Sequence, residues 1–188
     1  MAYTNKTTRT NQRLQSSLLK LMTTKPFEKI TVADIVNDIH INRSTFYRHV
    51  DDKYELLDAI EQQILTDLDK IRAAQKRKHY QGHYFDDELA LIEQHHDELS
   101  VLLGKHPSPT MSSRLETRFT NDFVAGLHQR SHDERRIKLI GALEGSVSLN
   151  MFKYLVLNTD ADRYSPQEVA DIMLQLGQFG PIQTLVNE

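Results

Sequence analysis

Apolar residues recur along this chain at helical spacing almost throughout, and strict alternation is scarce, so the pattern predicts an all-α protein. A first helix spans about Thr8 to Thr24, with Leu14, Leu18, Leu21 and Met22 on one face, and stops before Pro26. In ITVADIVNDI, Thr31 is an N-cap with Asp34 three residues on, and Ile30 and Ile35 occupy the positions of a hydrophobic staple. Val32, Ile35, Val36 and Ile39 then give a short buried face ending near His40. The same grammar repeats in HINRSTFYRHV: Asn42 caps, Ile41 and Phe46 form the staple, and Phe46 and Val50 point inward. Two short capped helices joined by so tight a turn must cross steeply, which is helix-turn-helix geometry.

Asp52 next caps a long helix whose stripe is Leu57, Ile60, Ile64, Leu68 and Ile71, and whose end falls between Ala74 and Gly82. A helix from about Asp86 to Leu103 follows, with the stripe Leu89, Ile92, Leu99 and Leu103 and with Gly104 as its stop. Met111, Leu115, Phe119, Phe123 and Leu127 space as one helix or two broken ones. From Asp133 to Leu157 a long helix carries apolar residues on more than one side, and Ser165, Pro166 and Glu168 open a last helix with a capping box. The expected organisation is a head over residues 1–52 and a body over 53–188, the helix from about 53 connecting the two.

The charge total of -3 conceals an uneven distribution. Residues 1–50 hold eight Lys/Arg against three Asp/Glu, a balance of +5 that leaves -8 on the rest. A basic head on an acidic body suits a module that faces phosphates. The chain has no cysteine, which removes disulfides, thiolate metal sites and cysteine nucleophiles and agrees with a reducing cytoplasm. The polar, basic first thirty residues lack the apolar run of a signal peptide, and no stretch approaches a membrane span, so no membrane partner is expected.

Inward positions on the second short helix are taken by Phe46 and Val50, which turns Arg43, Ser44, Tyr47 and Arg48 outward. Arginine donates twice to guanine O6 and N7, serine is adaptable, and tyrosine or histidine reaches phosphate oxygens. A solvated helix face is the bland alternative, which the capped partner helix at this spacing disfavours. TVADIVNDIHINRSTFYRHVDDKYELL strongly resembles the helix-turn-helix signature of the TetR family of regulators, over about residues 8 to 65. LLGKHPSP and SPQEVA resemble small members from low-GC Gram-positive bacteria.

The resemblance implies about nine helices, the last two pairing across a dimer. It implies that Arg43, Ser44 and Tyr47 face bases while Thr31, Tyr47, His49 and Lys53 contact phosphates, within a DNA-binding set that also holds Ala33, Asn42, Thr45 and Arg48. Ala33 stands where some members present a long basic residue, leaving at most a methyl contact. His40 stands where glycine is frequent, and histidine is among the side chains that tolerate positive φ.

Histidines are numerous. His79 with His83, and His128 with His132, have the spacing of a helix-borne metal pair, but Gly82 interrupts the first, a helix end the second, and neither has an evident third ligand; no metal or cofactor is expected. His96 falls on an apolar stripe between Ile92 and Leu99, either as a partly buried, satisfied histidine or, with Ile92, Phe119 and Phe123, as part of an effector pocket. Lys76, Arg77 and Lys78 are read as complementing a helix dipole. With no glycine-rich phosphate loop, nucleophile elbow or paired carboxylates, the chain is not read as an enzyme. The expected function is that of a cytoplasmic transcriptional regulator, a repressor, binding palindromic double-stranded operator DNA as a homodimer. For the body three readings stay open: a small-molecule effector, a protein coactivator, or dimerisation without small-molecule control.

Overall fold

In the computed structural model the described residues are 2–75, 86–128 and 132–158, with 164–165, 168–169 and 171–172 beyond them. They form seven α-helices and one 3-10 turn: α1 (Ala2–Met22), the turn Phe27–Lys29, α2 (Val32–Asp38), α3 (Arg43–Tyr47), α4 (Lys53–Gln75), α5 (Asp86–Leu103), α6 (Met111–Leu127) and α7 (Glu134–Leu157). The all-α expectation holds, although about nine helices were expected. Most of the last expected helix, the His79/His83 pair and the Lys76 to Lys78 run lie outside the described residues. The Ser165 capping box does form: the Ser165 amide donates to the Glu168 carboxylate at 2.7 Å and the Glu168 amide to Ser165 Oγ at 3.3 Å.

Local sequence rules account for most boundaries. Thr31 and Asp34 close a reciprocal capping box on α2. Lys25 reaches the same carboxylate at 2.8 Å, and these bonds, the one from Lys25 first, hold the Asp34 pKa down at about 2. The α2–α3 turn is closed by His40 at φ 54, the left-handed region anticipated there. Asn42 occupies the N-cap position of α3 but makes no capping hydrogen bond with its side chain, contrary to expectation. Asp52 Oδ1 accepts from the Tyr54 and Glu55 amides at 2.8 Å each, starting α4.

Buried apolar side chains from Leu14 on α1 to Val156 on α7 make one continuous core, which α4 crosses with Leu56, Leu57, Ile60, Ile64, Leu65 and Leu68. Met111–Leu127 is a single helix, which decides between one helix and two. It packs closely on α7, because Gly141 and Gly145 turn bare backbone toward Val124 and Thr120. The expected stripe on α5 is buried at Ile92, Leu99 and Leu103, with Leu89 partly buried against the core. His95 has non-helical angles (φ -129, ψ 27), kinking the helix, and it is His95 that is buried. Its Nε2 lies 3.2 Å from Asp67 Oδ2 on α4. Burial works to raise the Asp67 carboxyl, but hydrogen bonds from Lys70, Gln63 and His95 together hold it below its ordinary value. No described helix is long and apolar enough to cross a membrane.

Candidate DNA-binding interface

The recognition face is made by anchoring one side of a very short helix. Phe46 is fully buried, and its ring meets that of Tyr47 edge-on at 5.4 Å, while Tyr47 itself remains 55% exposed. Arg43, Ser44 and Arg48 are exposed, and Arg48 Nη2 donates to Thr45 Oγ1 at 3.1 Å, laying one guanidinium along the helix. Arg43 and Ser44 have no side-chain partner among the described residues. Two arginines, a serine and a tyrosine therefore stand on one outward face of a helix held from behind, the donor and acceptor set that base edges and phosphates take.

Flanking residues are placed differently from one another. Ala33 is half-exposed at the start of α2. Thr31 is exposed, with its hydroxyl donating to Asp34 at 2.8 Å. Asn42 is exposed beside Arg43, and His49 is half-buried with an unpartnered, buried Nδ1. Lys53, which the resemblance assigns to phosphate, has all three ammonium protons engaged within the protein. Nζ donates to the carbonyls of Phe27 (2.9 Å), Glu28 (3.0 Å) and Ile30 (2.8 Å), and it sits 4.6 Å from the Phe27 ring centre. It thus closes the C-terminal end of the 3-10 turn that leads into the α2 capping box.

The four residues considered for an effector pocket are not alike. Ile92 and Phe119 are in the core, and Phe119 packs on Phe152 at 5.7 Å with the Arg72 guanidinium 5.5 Å from its ring centre. Phe123 is half-buried. His96, expected on the apolar stripe, has a side chain 40% exposed and lies 3.7 Å from Asp97, while the inward position is taken by His95. Arg72 also reaches Glu88 at 3.1 Å, and burial pushes the Glu88 carboxyl up while that guanidinium opposes the shift. A cleft of about 500 Å³ opens elsewhere, between the first turns of α4 and the start of α6, lined by residues including Tyr54, Leu57, Asp58, Pro109 and Arg114. His128 and His132 are both exposed, and no group of three or more potential metal ligands occurs among the described residues.

Sequence periodicity missed the polar residues buried inside α4, Glu61 and Asp67. The signal was present for Glu61, which stands four residues after Leu57 and four before Leu65, both buried.

A helix-turn-helix held by a capping box, with an outward face of Arg43, Ser44, Tyr47 and Arg48, defines a DNA-binding protein. Residues 16–60 match the family model of bacterial regulatory proteins, tetR family. The match spans the helix-turn-helix and the first turns of α4, so the head is similar to the DNA-binding module of that family. No match was found among curated proteins.

Proposed function

We propose that the protein is a transcriptional repressor that binds a palindromic operator as a homodimer and is released by an effector acting on the body. The observation that carries this reading is the face of α3, where Arg43 and Ser44 stand exposed and uncommitted while Phe46 fixes the helix behind them. A reader so short gains specificity when two copies are held one helical turn of DNA apart, about 34–36 Å.

Support for pairing comes from α7, whose side away from α6 exposes Leu139 (55%), Leu143 (44%) and Leu157 (42%). Three large apolar side chains along one helix match a face covered by a second copy, and a two-fold interface lets the same patch serve both subunits. Control by an effector bound among Ile92, His96, Phe119 and Phe123 belongs to the proposal. It draws support from the proximity of Arg72 to Phe119, which places a cation from α4 beside that region.

Duplexes selected from a random pool by the purified protein test the reading. Palindromic half-sites are expected, with Arg43→Ala losing about 1–3 kcal/mol of discrimination between selected and random duplex. Equal losses on both would restrict Arg43 to phosphate contact, and a monomer binding single half-sites would overturn the dimeric reading.

A further inference from the structure

A cation strengthens DNA binding by replacing counterions on a phosphate, so an ammonium already paired or saturated inside the protein contributes little of that effect. The basic side chains of the head differ sharply in this respect. Lys20 is paired with Asp38 at 2.6 Å and Lys25 with Asp34 at 2.8 Å. Arg13 Nη2 donates to the Ile39 carbonyl at 2.6 Å, Arg48 lies along α3 on Thr45, and Lys53 has all three protons on carbonyls. Among the described side chains of the head, Arg9, Lys29 and Arg43 are the cations without a side-chain partner.

Lys29 is distinguished by where it is held. It ends the 3-10 turn between Phe27 and Ile30, each 1% exposed, so the core fixes the turn on both sides and leaves Lys29 outside. Its amide donates to the Pro26 carbonyl at 3.0 Å, and the Ile30 amide to the Phe27 carbonyl at 3.1 Å. From beneath, the Lys53 bonds to Phe27, Glu28 and Ile30 tie this turn to the first residue of α4, shortly after Arg48 caps the end of α3. Thr31 and the capping box of α2 follow directly. The free ammonium of Lys29 therefore stands on a rigid rim between the start of α2 and the chain leaving α3. Arg9 lies elsewhere, in the groove that Arg13 and Lys20 share with the C-terminal end of α2.

A helix in the major groove meets base edges along the floor and phosphates on either side of an opening about 12 Å wide. We infer that Lys29 is the phosphate-binding lysine of the head, gripping the wall of the groove into which α3 carries Arg43. The inference rests on the DNA-binding reading of α3. Lys53 has its protons turned inward at the same place and is not available for that contact. Glu28, exposed beside Lys29, makes no ion pair with it. A lysine suits the task because its compact charge meets a phosphate without demanding one orientation.

The test is the affinity of the full-length protein for a duplex it has selected from a random pool, and for a random duplex, between about 50 and 200 mM salt. Lys29→Gln is expected to reduce the slope of log K against log salt by about one for each bound head. Over that range a pair of variant heads then loses about ten-fold less affinity than the native pair. The reduction should be the same on both duplexes, because phosphates carry no sequence, and the urea midpoint should not move, because the side chain supports nothing inside the fold. Lys29→Arg is expected to restore the slope. Lys138→Gln, which removes the same charge from an exposed position on α7, is expected to leave it at the native value. A slope unchanged in Lys29→Gln, or lowered as far by Lys138→Gln, overturns the inference. If the native protein holds neither duplex, the DNA-binding reading itself falls, and this inference falls with it.

Discussion

Replacing Lys53 by methionine separates two roles that the same lysine could play. The stem stays over Phe27 while the ammonium and its three carbonyl bonds are lost. One hydrogen bond from a charged donor contributes about 1.5–3 kcal/mol, and the three are not additive because they share one half-exposed group. Removing the cation from the face of Phe27 adds about 0.5–1 kcal/mol. The expected loss is therefore about 2–3 kcal/mol by urea denaturation, or about 4–12 °C in Tm for a chain of this size. DNA affinity should fall as well, because the turn leading to the α2 capping box loosens. The slope of log K against log salt should stay unchanged, since no phosphate contact is removed. The opposite pattern, a stability loss under about 0.5 kcal/mol with a slope reduced by about one, is that of a phosphate-contacting lysine. It would refute the structural role.

Gly145→Ala should cost about 1–3 kcal/mol by urea denaturation, because the added Cβ would stand 3.1 Å from Thr120 Cβ and 3.2 Å from Thr120 Cα; a neutral result would mean that α6 and α7 can separate freely. Leu143→Glu should convert a sedimenting dimer to monomer while leaving the monomer folded, since that side chain is 44% exposed in the single chain. The stability difference between the native protein and Asp34→Asn should be complete above about pH 4 and disappear as pH falls through about 2. The folded pKa lies below the unfolded one, so the unfolded chain takes up the proton first. A difference that persists below pH 2 would remove the carboxylate from the cap.

The head was legible because its rules are local. A threonine three residues before an aspartate, an isoleucine on each side of the cap and a phenylalanine three residues after an arginine fix α2, α3 and the outward face without reference to distant parts of the chain. His40 at positive φ was readable for the same reason. Roles that depend on what lies opposite were not. Lys53 looks like an outward cation at a helix start, and only the return of the Phe27–Ile30 carbonyls beneath it shows where its protons go. His95 and His96 stand three and four residues after Ile92 and fit a helical stripe equally, and only the contact of His95 with Asp67 shows which one turns inward. Glu61 falls on the buried stripe of α4 by its spacing, but the hydroxyls of Ser108 and Thr110 that receive it come from nearly fifty residues on and have no local signal. Arg43 and Ser44 are legible because their role is local, and no described residue competes for them.

The two glycines of α7 have a mechanical consequence. Where Gly141 and Gly145 meet α6, they face the short side chains of Val124 and Thr120 directly, a close contact that leaves little to compress there. The seam between α4 and α6 is spanned instead by long arginine arms beside an open cleft. Hydrostatic pressure acts on voids. A modest pressure should therefore leave the α6–α7 pair intact and shift α4 against it, driving the head along its own softest coordinate without ligand, DNA or mutation.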